Sequence, residues 1–169
     1  MTGSAEQVRA TLFCDAEAED DGKTLLAQYQ LLVATSEALV VRRQSVNTFF
    51  LSVNSIILAG EGLLLPDADT GTLESAAIIG FALGGMTLCV IWHRLITSFR
   101  QLSTGKFRVI HEIERRLPAR MFTAEWVALG SGEDPKTYRP FTKVESATPK
   151  IFGLIQVLVA AGGLYLLCR

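Results

Sequence analysis

The stretch "RRQSVNTFFLSVNSIILAGEGLLLP", residues 42–66, decides how the rest of the chain is read. It is long and apolar enough to cross a bilayer. Yet Asn47, Asn54 and Glu61 interrupt it at seven-residue intervals, with Ser45, Ser52 and Ser55 close by. Seven residues are about two helical turns, so the three polar groups share one face. An amide turned toward lipid costs several kcal/mol, whereas a satisfied interhelical hydrogen bond contributes about 0.6–2 kcal/mol. That face therefore meets other helices or enclosed water. Asn54 lies at mid-span, out of reach of the headgroups. Asn47 and Glu61 lie near opposite ends, where interfacial hydration serves equally well.

Outward from this stretch the 169 residues are 49% hydrophobic, with mean hydropathy +0.32. Three apolar blocks stand out at about 46–65, 73–96 and 151–168. A helix rising 1.5 Å per residue needs about 20 residues to cross the hydrocarbon. Inside the blocks the charged or ionisable residues Glu61, Glu74, His93 and Arg94 all sit near block ends. The expected fold is all-α: an integral membrane protein with three transmembrane helices and a single membrane domain over 24–169. The first 23 residues, acidic and without an apolar core, read as a disordered tail with no secretory signal.

Charge supplies an orientation. Residues 97–150 carry ten Lys and Arg against six Asp and Glu, while the turn "PDADTGT" carries no basic residue. The positive-inside rule places the amino terminus and 97–150 in the cytoplasm. Topology and anionic-lipid contact account for the basic excess, so no nucleic acid is expected. Cys14, Cys89 and Cys168 share no motif spacing and read as free thiols.

Before the first block, Leu26, Val33 and Val40 continue the register of Asn47, Asn54 and Glu61. With no Gly or Pro between, one helix of roughly 40 residues is expected, its seam apolar in water and polar in lipid. In the second block Ala76, Gly80 and Gly84 fall at four-residue steps, a spacing that lets helix backbones approach closely. These nine residues form the expected oligomer or helix-packing seam. Thr70 or Thr72 is expected to cap the second membrane helix, with Glu74 in its first turn. Ser103–Thr104–Gly105 is expected to break the chain before a helix bearing Phe107, Ile110, Ile113 and Leu117, which Pro118 stops. A short helix follows in "ARMFTAEWVAL". Thr142 and Glu145 suit one capped turn, and Pro149 suits the first turn of the third membrane helix.

Candidates for chemistry are thin. His93 and His111 lack companions at metal-ligand spacing, so no metal or cofactor is expected. Glu112 and Glu114 read as charges pairing with Arg115 and Arg116, and "GSGED" as a turn. Ser45, Ser52 and Ser55 have no activating base nearby in sequence.

Several stretches together carry a family likeness: "RRQSVNTFFLSVNSIIL" (42–58), "WHRLITSFRQLSTGKFRVIHEIERRLP" (92–118), "FTAEW" (122–126) and "YRPFTKVESATPKIF" (138–152). The ordered set Arg43, Asn47, Phe50, Trp92, Arg100, Lys106, Ile110, Glu114, Leu117, Pro118, Glu125, Trp126, Tyr138, Glu145 and Pro149 resembles the RipA family of small octameric bacterial inner-membrane proteins. Ser103 departs from the Asn expected before the Lys–Phe pair. The resemblance implies a homo-octamer in the cytoplasmic membrane and brings no catalytic residues with it. The sequence thus points to a non-enzymatic ring, a scaffold or sensor. A pore whose water contacts the polar stripe is the alternative. An enzyme would need a cytoplasmic pocket gathering Arg100, His111, Glu114 and Glu125.

Overall fold

A computed structural model describes residues 2–13, 22–64, 71–132 and 142–168. Among them there is no strand. The elements are α1 (Thr2–Leu12), α2 (Gly22–Leu64), α3 (Thr72–Glu114), α4 (Met121–Ala128), a 3-10 turn at Gly130–Gly132, and α5 (Thr142–Leu167). Helices α2, α3 and α5 are each long and apolar enough to cross a membrane. The chain divides into two compact units, Met1–Val41 with Phe99–Pro140, and Arg42–Ser98 with Phe141–Arg169. Helices α2 and α3 contribute to both, where the sequence suggests one membrane domain.

The long helix expected from the heptad pattern is present as α2. Four expectations need correction. Thr2–Leu12 is helical rather than a disordered tail, and residues 14–21, with Cys14, lie outside the described residues. Its end is anchored locally: Leu12 packs against the cluster of Tyr29, Ile110 and Ile113, and the Arg116 guanidinium lies 3.3 Å from the Phe13 ring centroid.

The expected break at Ser103–Thr104–Gly105 does not occur, and α3 runs on to Glu114. A mid-helix Gly costs only about 1 kcal/mol. The downstream turns offset it by burying Ile110 and Ile113, and Thr104 Oγ1 donates back to the Arg100 carbonyl at 2.9 Å. The helix ends where Arg116 N–H and Leu117 N–H tighten onto the Ile113 and Glu114 carbonyls, before Pro118. Likewise α5 is continuous from Thr142, with Pro149 inside it rather than opening it.

At the start of α3, Glu74 Oε2 accepts from the Gly71 N–H at 3.1 Å, the reciprocal half of a capping box. The cap is thus Gly71 rather than Thr72, while Thr70 lies outside the described residues. After α4 the backbone turns through left-handed conformations at Gly130, Ser131 and Gly132 (φ 70°, 53° and 74°), so two of the three positions are glycine.

Candidate functional site

In the unit of Arg42–Ser98 and Phe141–Arg169, α3 presents a buried stripe of Ile78, Ala82, Gly85, Cys89, Trp92 and Ile96 at alternating steps of four and three. Against it lie Asn47, Asn54 and Glu61 of α2 and residues of α5. These polar groups form three tiers.

The first tier crosses all three helices. Arg43 Nε lies 3.5 Å from Glu145 Oε1, a charge contact rather than a hydrogen bond, since Nε has no hydrogen-bonding partner. The same Glu145 oxygen accepts from Asn47 Nδ2 at 3.2 Å, and Asn47 Oδ1 accepts from Trp92 Nε1 at 2.9 Å. Trp92 is held flat against Phe50, with ring centroids 5.8 Å apart and planes within 9°. Phe152 closes its other side at 6.2 Å. Glu145 therefore ties α5 to α2, while the side chain of Thr142, its expected capping-box partner, lies outside the described residues.

In the second tier Asn54, fully buried, donates from Nδ2 to its own helix at the Phe50 carbonyl (2.9 Å) and accepts from the Cys89 thiol (3.3 Å). In the third, Glu61 is 1% exposed and Gln156 of α5 is fully buried. With its nitrogen toward Glu61, the Gln156 amide donates to both carboxylate oxygens at 2.9 and 3.2 Å. A Cβ on Gly85 would come within 2.6 Å of the other end of that amide and 2.7 Å of Cδ. Only glycine leaves room for that amide.

The expected seam thus separates into parts. Asn47, Asn54 and Glu61 come together inside one chain with Trp92, Cys89, Glu145 and Gln156. Val33 is half-buried beside the Tyr29 cluster. Leu26, Val40, Ala76, Gly80 and Gly84 face outward from the protomer, and a Cβ on Gly80 or Gly84 would meet nothing within 4 Å. The close approaches within the protomer use Gly85 and Gly163 instead. A Cβ on Gly163 would come within 3.0 Å of Ile79 and 3.1 Å of Ile78. Gly85 was discoverable: it lies seven residues before Trp92, on the stripe that carries that ring. Gln156 carried no such signal, because its meaning depends on which helix faces it.

The other unit holds a second buried carboxylate, Glu114. Its Oε1 accepts from Tyr29 Oη (3.0 Å) and the Phe122 N–H (2.7 Å), and its Oε2 from Thr123 Oγ1 (2.9 Å) and the Thr123 N–H (3.2 Å). Arg120 makes no side-chain cap for α4, so Glu114 satisfies two of the open N–H groups of that helix and meets its dipole. Burial alone pushes the Glu114 carboxyl up. The bonds from Phe122, Thr123 and Tyr29 outweigh it and hold the group below the ordinary glutamate range. Tyr29 moves the other way, pushed up to about 12 by burial first, then by its bond to Glu114 and the carboxylate charge. His111 lies beside this network, with Nδ1 3.6 Å from Glu114 Oε2. A groove of about 600 Å³ runs past His111, Phe107, Phe122, Glu125 and Trp126. Of the four residues an enzyme would gather, His111 and Glu125 line it. Arg100 is absent from its lining, and Glu114 is already enclosed by donors.

The sequence model of the octameric membrane protein family (8xMP) matches residues 26–165. No curated protein and no solved structure matches the chain.

Proposed function

The chain belongs to the octameric membrane protein family, and on that premise we propose that it assembles as a homo-octameric ring and acts as a non-enzymatic scaffold or sensor. In the narrower reading it is a RipA-family protein of the bacterial inner membrane. The basic excess of 97–150 supports a cytoplasmic amino terminus. The observation that carries the proposal is the burial of Asn54 and Glu61, with partners on their own chain. Each protomer thereby hides these two groups and turns apolar side chains such as Phe49, Ile56, Leu63, Leu154 and Leu158 outward, to lipid or to neighbouring copies. Gly80 and Gly84 then offer a neighbour close backbone approach. Burial also takes Asn54 and Glu61 out of the outer surface, leaving only the hydroxyls of Ser45, Thr48, Ser52 and Ser55 on that stretch of α2 for a conducting axis.

Native mass spectrometry in mild detergent is expected to give eight copies per particle, and monomers alone would contradict the ring. In proteoliposomes the protein is expected to carry no ion flux above empty vesicles. Flux that changes on Asn54→Leu would move the reading to a pore.

A further inference from the structure

The ring reading uses the Glu61–Gln156 pair only as a buried contact within the protomer, yet the chemistry of the pair is distinctive. Glu145 has Arg43 beside it, and Glu114 has four donors. Glu61 sits among apolar helices, and among the described residues no Lys, Arg or His pairs with it. What faces it is Gln156 from α5, backed by the bare backbone of Gly85 on α3. The next titratable group on that stripe of α3, Cys89, donates a hydrogen bond from its thiol to Asn54 Oδ1.

A primary amide serves both states of a carboxyl group. Toward a carboxylate, Nε2–H donates; toward a carboxylic acid, Oε1 accepts the acid proton. The two arrangements differ by a half-turn of the amide, whose oxygen and nitrogen ends fill nearly the same space. A single proton can therefore come or go without a helix moving. Gly85 fixes where the amide stands, and the contacts at 2.9 and 3.2 Å already put one end of it against both Glu61 oxygens. In the sequence Glu61 stands four residues before Leu65, the end of the first apolar block, so in the membrane-spanning reading it lies near one membrane face.

We propose that Glu61 and Gln156 form a reversible proton-binding site in each protomer, with the Gln156 amide turning end for end as the proton arrives or leaves. Hydronium at the membrane face is the donor. One O–H bond forms on Glu61, one water is released, the carboxylate charge is neutralised, and Gln156 keeps both its N–H bonds. The site lies within one chain, so it stands independently of the octameric reading.

The test is an infrared titration of the full chain in phosphatidylcholine bilayers from about pH 4 to about pH 10, a range that spans ordinary and strongly perturbed carboxyl groups. The expected result is a protonated-carboxyl band that grows and fades across the range, accompanied by a change in a side-chain amide band. Glu61→Gln abolishes the carboxyl band. Gln156→Leu keeps it and loses the amide change. Should Glu61→Gln fail to fold, Glu61→Asp makes the assignment by shifting the frequency of the band. A carboxyl signal that stays constant with pH, or a titrating one unchanged in both Glu61 variants, overturns the proposal. Particle size measured on the same samples reports on the octamer alone.

Discussion

Replacing Glu114 by alanine is expected to destabilise the unit of Met1–Val41 and Phe99–Pro140 by about 3–5 kcal/mol, the range for removing one partner from a buried charged network. The change strands the Phe122 and Thr123 N–H groups and the Tyr29 hydroxyl, and opens a void beside Ile110 and Ile113. Glu114→Gln is expected to cost less, about 1–3 kcal/mol, because one amide oxygen can still accept while the NH2 group confronts donors. Hydrogen exchange at Phe122 and Thr123 measures both. Unchanged exchange in Glu114→Ala would contradict the capping role. The pH dependence has a definite sign. The Glu114 carboxyl is held below its ordinary value of 4.5, so its contribution is complete at neutral pH. It declines as pH falls through that ordinary value and is gone below the folded one. Tyr29 is raised from 10.0 to about 12, so its contribution is complete below pH 10 and disappears as pH rises toward 12.

The second large effect is expected at Gly85. Gly85→Ala drives a Cβ to within 2.6 Å of the Gln156 amide, and Gln156 is fully buried with that amide held against Glu61. Overpacking and a lost interhelical bond together should cost about 2–4 kcal/mol. Gly84→Ala, one residue away, meets nothing within 4 Å in the protomer and should leave protomer stability within about 0.5 kcal/mol. A double-mutant cycle with Gln156→Ala identifies the cause, since shortening Gln156 removes the clash and should recover most of the Gly85→Ala loss. Equal thermal stability of the Gly84 and Gly85 variants would contradict the packing described here.

The long-range features of the fold were legible because they rest on length and period. Three apolar blocks gave three helices, and the uninterrupted run from Thr24 to Leu64 gave one long helix. The misreadings were local and share one origin: single-residue signals were weighed without their tertiary partners. Gly105 looked like a break until the burial of Ile110 and Ile113 beyond it is counted. The contacts of Glu145 with Arg43 and Asn47, about 100 residues away in sequence, carry no local signal at all. The Ala76–Gly80–Gly84 ladder has the spacing of a packing face. Yet one residue along a helix is a 100° rotation, and Gly85 is the position that meets α5. The polar heptad was legible as a face that avoids lipid. Which helices shelter it was not, because Gln156 and Cys89 lie 95 and 35 residues from the partners they meet, Glu61 and Asn54.

The account rests on the polar residues of α2 being sheltered inside their own protomer. Pairing Glu61→Cys with Gln156→Cys, in a background where Cys14, Cys89 and Cys168 are Ser, tests this in native membranes. Labelled and unlabelled chains are co-expressed, and a short thiol-specific linker is added. The account predicts linked peptides that are wholly labelled or wholly unlabelled, joined within one chain. A yield dominated by mixed peptides would place the partner on a neighbouring copy and contradict it.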